Sequence, residues 1–187
     1  YRVKYVTLCD LKGIVCEGEE WLNPAQREIA KVTNKPRLKG KLADAMRGAD
    51  VFIGVSGPNC VTKDMVKSMA DKPILFPCAN PVPEISPQDA LDAGAFIVGT
   101  GSSEYPNQIN NVLVFPGLFR GALDVRANTV NTEMMVAAAK GIADCVTDNQ
   151  LARDYILPYA YDKAAHKSVA KAVAEAAIKS GAAKIKP

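Results

Sequence analysis

Apolar, β-branched runs recur along the chain at residues 3–9, 51–55, 74–78 and 95–98, with helix-type signals between them. Short strand patterns alternating with helical ones predict a mostly parallel sheet with flanking helices, an α/β fold. The helix starts are legible in the same pass. Asn23-Pro24 and Ser86-Pro87 each set a capping oxygen before a proline at the first helical position, and Thr62 stands between Val61 and Val66 at the spacing of a hydrophobic staple. Farther on, Met135, Ala138, Ala139, Ile142 and Cys145 follow a helical period, as do Val169, Val173, Ala176 and Ala177. Two amphipathic helices are therefore expected to close the chain, with these side chains as core stripes. High helix propensity accounts for the alanine-rich tract at 164–183.

Composition narrows the function classes. With 187 residues, 48% hydrophobic and 23% charged, the chain is long enough for one well-buried domain. A net charge of +3 without any basic run argues against a nucleic-acid partner. The five cysteines form no CxxC pair, and their odd number and wide spacing point to reduced thiols in a cytoplasmic or otherwise reducing compartment. No stretch approaches the roughly 18 to 20 apolar residues that span a bilayer, so no membrane partner is expected.

A dinucleotide-binding fold normally opens with a strand and a GxGxxG turn, followed about 20 residues later by an acidic residue at the end of the second strand. Here the acidic residue, Asp10, comes without the turn. Residues 3–9 thus read as a second strand whose predecessor lies upstream. The expectation is an incomplete NAD(P)-binding domain over 1–187, part of a longer polypeptide. It would have a gap between its second and fourth strands and would fold poorly alone.

Several residues carry candidate chemistry beside a plainer reading. Asp10 suits hydrogen bonds from adenosine ribose hydroxyls, or simply begins a solvated turn with Lys12 and Gly13. A carboxylate there repels a 2′-phosphate and Lys12 attracts one, so NAD and NADP both stay open. Gly54-Val55-Ser56-Gly57-Pro58 follows the buried-looking Val51-Phe52-Ile53, and its small residues admit a cofactor close to the backbone, though turn chemistry selects the same residues. Asn80 offers both a donor and an acceptor at a strand end, or marks an Asn-Pro turn. Asn110 and Asn111 lead into an apolar segment. Two amides cannot both face a core unpaired, at about 1–3 kcal/mol each, so they meet a ligand or solvent. Arg120 and Arg126 could clamp a carboxylate, but the four-residue spacing favours an Arg120–Asp124 ion pair. His166, the single histidine, is expected at the surface of a lysine-rich helix start, and Glu104 and Tyr105 are secondary candidates.

The most informative run is Gly99-Thr100-Gly101 through Tyr105-Pro106-Asn107-Gln108-Ile109-Asn110-Asn111 to Pro116-Gly117, which gathers amides and glycines after a strand-like segment. With Asp50-Val51-Phe52-Ile53-Gly54-Val55-Ser56-Gly57, Ala79-Asn80-Pro81-Val82-Pro83-Glu84 and Phe119-Arg120-Gly121-Ala122-Leu123-Asp124, it resembles the C-terminal, cofactor-binding half of malic enzymes, especially the short bacterial type. The resemblance implies a Rossmann-like fold and oxidative decarboxylation of L-malate to pyruvate and carbon dioxide, with NAD or NADP and Mg²⁺ or Mn²⁺. It implies that Asp10 meets the adenosine ribose and that Ser56 and Gly57 line the cofactor. Asn80 and Asn111 would hold malate, Asn110 would sit at the substrate and nicotinamide junction, and Asn80 and Asn110 would also reach the cofactor.

By the same resemblance the metal ligands and the catalytic lysine and tyrosine precede this segment. No catalytic residue is then assigned in this chain, and alone it is expected to be inactive. Family members commonly form dimers, so a homo-oligomer is expected. Three alternatives stand beside this reading: malolactic enzyme, a non-catalytic Rossmann-like binding module, and another dehydrogenase with a similar cofactor domain.

Overall fold

A computed structural model of the chain describes residues 3–185. The two residues at each end, which the expected 1–187 domain includes, lie outside the described part. The central sheet is parallel, as expected, with strands β3 (Val51–Gly54), β4 (Ile74–Pro77) and β5 (Ile97–Val98) side by side in chain order. Phe52 pairs with Leu75 and Leu75 with Val98, so these three share one face of the pleat. That face is covered by α2 (Leu42–Met46), α3 (Lys63–Lys67) and α4 (Pro87–Asp92), which bring Met46, Val66 and Ala90 into a common core with Leu75 and Val98.

The opposite face departs from expectation. Val51 and Ile53 are exposed, whereas the run had looked buried throughout. A continuous apolar strand belongs to a sheet covered on both faces, and the described elements cover only one. The helix starts are formed as read: Asn23, Thr62 and Ser86 accept from the backbone amides of Gln26, Met65 and Asp89. Val61 and Val66 are both buried, in agreement with the staple.

The first apolar run does not enter the parallel sheet. Residues 3–8 are irregular, and only β1 (Cys9–Asp10) pairs, antiparallel to β2 (Gly13–Ile14). An extended segment becomes a strand only where a neighbour supplies its ladder, and no strand of the central sheet lies beside this one among the described residues. Its backbone is tied locally, Leu8 O accepting from Val15 N at 2.8 Å and Val6 O from Asn34 N at 2.7 Å. Helix α1 (Pro24–Ala30) packs over this hairpin through a small core of Val15, Leu22 and Ala30.

The chain closes with three long helices, α5 (Phe115–Asp124), α6 (Thr132–Ala143) and α7 (Lys163–Lys179), around a separate core. The α7 stripe is as expected, with Val169, Val173 and Ala177 fully buried. On α6 the buried register is Met134, Ala138 and Gly141, so Met135 and Ala139 are exposed rather than in the core. Helix α5 is a third closing helix where two are expected: the Arg120–Asp124 spacing implies a helical turn there, but the buried Gly117 and Gly121 leave no apolar stripe to mark its extent. These glycines admit α7 very closely. A Cβ on Gly117 would stand 2.7 Å from His166 O and one on Gly121 only 2.3 Å from Ala170 O.

Candidate functional site

Three loops leave the carboxyl ends of the parallel strands: Val55-Ser56-Gly57 after β3, Cys78-Ala79-Asn80 after β4 and Gly99-Thr100-Gly101 after β5. This is the edge at which open α/β sheets bind ligands. The first two loops are joined by Glu84, whose side chain is fully buried. Its Oε1 accepts from Ser56 N at 2.8 Å and Ser56 Oγ at 3.2 Å, and its Oε2 accepts from Ala79 N at 3.0 Å. The Ser56 hydroxyl therefore turns inward, and its other close neighbour is Cys60 Sγ at 3.6 Å. Gly57 has open space where a side chain would stand. Glu84 lies inside a motif quoted from the sequence yet received no role there; a lone acidic residue between Pro83 and Ile85 was the available signal.

The third loop is folded against the second. Thr100 bridges Gln108, Thr100 O accepts from Ile109 N at 2.8 Å, and a Cβ at Gly101 would lie 3.8 Å from both Cys78 O and Ile109 O. Asn80 and Asn110 thus follow closely on residues that flank one glycine. Asn110 Oδ1 caps the short 3-10 turn Asn111–Leu113 by accepting from Val112 N at 3.0 Å. Its amide NH₂, and the side chains of the exposed Asn80 and Asn111, make no hydrogen bond to the described residues.

Asn107, passed over in the sequence, is the amide that is structurally committed. It is buried, donates to Val98 O at 3.0 Å and Arg153 O at 2.9 Å, and accepts from Ile156 N at 2.9 Å. A positive φ of 56° at this non-glycine residue fits an Asn in the left-handed region.

Asp10 stands apart, on the β1–β2 hairpin. Its carboxylate accepts from Leu11 N and from Gln26 Nε2, and Gln26 in turn completes the capping box of α1 with Asn23. Lys41 Nζ donates to Lys12 O at 2.9 Å. Arg120 and Asp124 form the expected ion pair at 2.7 Å, while Glu104 and Tyr105 are exposed. His166 is not a surface residue as expected: it is half-buried where α7 meets α5, and its Nε2 is enclosed with no hydrogen-bond partner.

All five thiols are free. Partial burial first, and then the Glu84 charge, pushes the Cys78 thiol above its usual range; Cys9, at the surface, is pushed the same way by partial desolvation and then by Asp44. Among the described residues no group of three or more His, Cys, Asp or Glu side chains is placed to hold a metal ion.

The family model described as malic enzyme, NAD binding domain, matches residues 2–179. The bifunctional malic/malolactic enzyme of Bacillus subtilis (strain 168) is 52% identical over 186 residues, which is 99% of this chain and 45% of that protein. The NADP-dependent malic enzyme of Halomonas elongata is 41% identical, covering 98% of this chain and 46% of its own length. The crystal structure of the NAD-dependent malic enzyme of Thermotoga maritima superposes with a TM-score of 0.86 at 44% identity, over 92% of this chain and 45% of that one. The chain spans less than half the length of these relatives. Its parallel sheet with flanking helices is accordingly the Rossmann-like fold of those enzymes, and over the NAD-binding domain the chain belongs to the malic enzyme family.

Proposed function

We propose that this chain is the dinucleotide- and malate-binding part of an NAD(P)-dependent enzyme that oxidatively decarboxylates L-malate to pyruvate and carbon dioxide. One observation carries the reading. At the carboxyl ends of β3, β4 and β5, a turn of small residues comes together with the unengaged amides of Asn80 and Asn111 and the free NH₂ of Asn110, in a chain of the malic enzyme family.

The residues present suit a dinucleotide. Open space at Gly57 lets a flat ring approach the Ser56-Gly57 backbone, and the Asp10 oxygens keep lone pairs for ribose hydroxyls beyond those given to Leu11 N and Gln26. Bound there, the oxidised nicotinamide supplies a hydride acceptor for C2 of malate. Asn80 and Asn111 donate to the malate carboxylate and hydroxyl, orienting C2 without adding negative charge where an enolate develops. Asn110, its oxygen committed to Val112 N, offers its NH₂ at the junction of substrate and nicotinamide.

Mg²⁺ or Mn²⁺ belongs to this reaction, but the described residues offer no ligand cluster for it. On this reading the metal ligands, the catalytic lysine and the catalytic tyrosine lie in another part of a longer polypeptide, and this chain alone is inactive. The free thiols support a reducing, cytoplasmic setting, no described helix is long and apolar enough to cross a membrane, and a homodimer is the assembly proposed.

The test is malate-dependent growth of reduced-nicotinamide absorbance on the full-length polypeptide, with NAD and NADP in parallel and Mn²⁺ present or chelated. Metal-dependent reduction of a cofactor with pyruvate release is expected. Lactate in place of pyruvate would select the malolactic reading, an activity that the name of the Bacillus subtilis relative carries beside the malic one. A folded, full-length protein without turnover would leave a dinucleotide-binding module.

A further inference from the structure

We infer that Glu84 is the positioning residue that fixes the cofactor turn and the substrate amide at one spacing; the inference rests on the function proposed above. A fully buried carboxylate is a costly choice unless its oxygens are met by donors. Here every donor comes from the site. Ser56 N and Oγ reach one oxygen, and Ala79 N, immediately before Asn80, reaches the other. Glu84 forms no salt bridge among the described residues, so ion pairing does not explain its burial. Its own backbone is held as well, Glu84 O accepting from Val61 N at 3.0 Å and Pro83 O from Asn59 N at 3.0 Å. The side chain is thus a clamp on a fixed support, and Gly54 leaves the space it fills.

The chemical identity of the clamp follows from the count of acceptors. A carboxylate accepts at both oxygens and can tie two N–H groups from different loops, whereas an amide of the same shape accepts at one end and donates at the other. Glutamine at this position would keep the fill of the cavity and set an N–H against either Ser56 N or Ala79 N. One loop would then be released. Neither the hydride acceptor nor malate touches Glu84 in this scheme; it acts through the backbone of Ser56-Gly57 and through Asn80.

The experiment is steady-state kinetics of full-length Glu84→Gln beside the wild type, with malate carrying hydrogen or deuterium at C2 and with folded fraction measured on the same samples. Misplacement of the reacting atoms by about 1 Å costs on the order of a hundredfold. A kcat lowered by about that factor per folded molecule, with a malate KM changed far less and a larger C2 isotope effect, is the expected result, because hydride transfer becomes slow. A purely structural glutamate would lower the folded fraction and leave the isotope effect unmoved. That result, or kcat and KM within about twofold of wild type, would overturn the assignment. If Glu84→Gln is not recovered folded, Glu84→Asp is read by the same two outcomes, since it keeps the charge and is one methylene too short to reach both loops. An active wild type with an unaffected variant overturns only the role of Glu84. A wild type that reduces neither dinucleotide with malate overturns the functional reading and this inference together.

Discussion

Gly54 and Glu84 exclude each other's enlargement: a Cβ on Gly54 would stand 2.4 Å from the Glu84 carboxyl carbon and within 2.7 Å of both its oxygens. Gly54 ends β3 opposite Pro77 and is itself buried, so the strand cannot readily retreat. Overpacking at such a site costs about 1–3 kcal/mol. Gly54→Ala in the full-length protein is expected to lose stability in that range and to weaken dinucleotide binding, since relief requires the carboxylate to leave Ser56 or Ala79. Urea unfolding and a cofactor titration measure the two effects. An unchanged midpoint would mean the carboxylate has another rotamer open to it.

Asn107 and Asn111, four residues apart in the amide loop, are expected to behave as two kinds. Asn107→Ala leaves Val98 O, Arg153 O and Ile156 N without their partner, and with about 1–3 kcal/mol for each buried group left unpaired the loss is expected to exceed 2 kcal/mol. Asn111→Ala removes an exposed amide that no described residue engages, and stability is expected to change by less than about 0.5 kcal/mol while the malate KM rises. Denaturation midpoints set beside KM values on the two variants check the contrast. Equal destabilisation by both would contradict it.

Cys78 carries a pH dependence whose sign is fixed by its surroundings. Partial burial, followed by the charge of Glu84, raises its folded-state thiol above the unfolded value. The contribution is fully present below the unfolded pKa and is lost as pH rises through the folded one, so alkaline conditions destabilise the fold. At mildly alkaline pH the Cys78 thiol is expected to alkylate more slowly in the native chain than in urea, because less thiolate is present. Peptide mass spectrometry after a timed alkylation reads each cysteine separately. Native rates equal to the denatured rates would refute the burial argument.

Local chemistry was the legible part of the sequence. Caps at Asn23, Thr62 and Ser86 are decided by the residue and its next three neighbours, and all three form. The Arg120–Asp124 pair was recoverable for the same reason, and the parallel strands from their short β-branched runs alternating with helix signals. What failed depends on neighbours distant in sequence. Residues 3–8 have strand composition but no ladder partner among the described residues, and Val51 and Ile53 have no covering layer. On α6 the choice between Met134 and Met135 was decided by Gly141, which turns the helix so that its bare backbone faces Val169. In the site, the order of the loops was readable, but the commitments of individual polar groups were not. Nothing in the run Pro106-Asn107-Gln108-Ile109-Asn110 marks Asn107 as the amide claimed by Arg153 O and Ile156 N, because those partners lie over forty residues away. Glu84 was hidden likewise, its role being defined by Ser56 and Ala79.

The sheet and the three closing helices hold separate cores, and the amides lie along the seam between them: Asn80 follows β4 on the sheet side, Asn110 precedes α5 on the helical side. Mutational drift is partitioned accordingly. A methyl lost from Leu75 and one lost from Val173 fall in different neighbourhoods and should add rather than compound. The amide loop has less slack where it meets β5, since a Cβ on Gly99 would stand 3.0 Å from Asn107 O and 2.9 Å from Ile109 Cδ1. The fold can therefore change its interior on either side over evolutionary time and keep the same chemistry, provided the amide loop goes on meeting the sheet at Gly99.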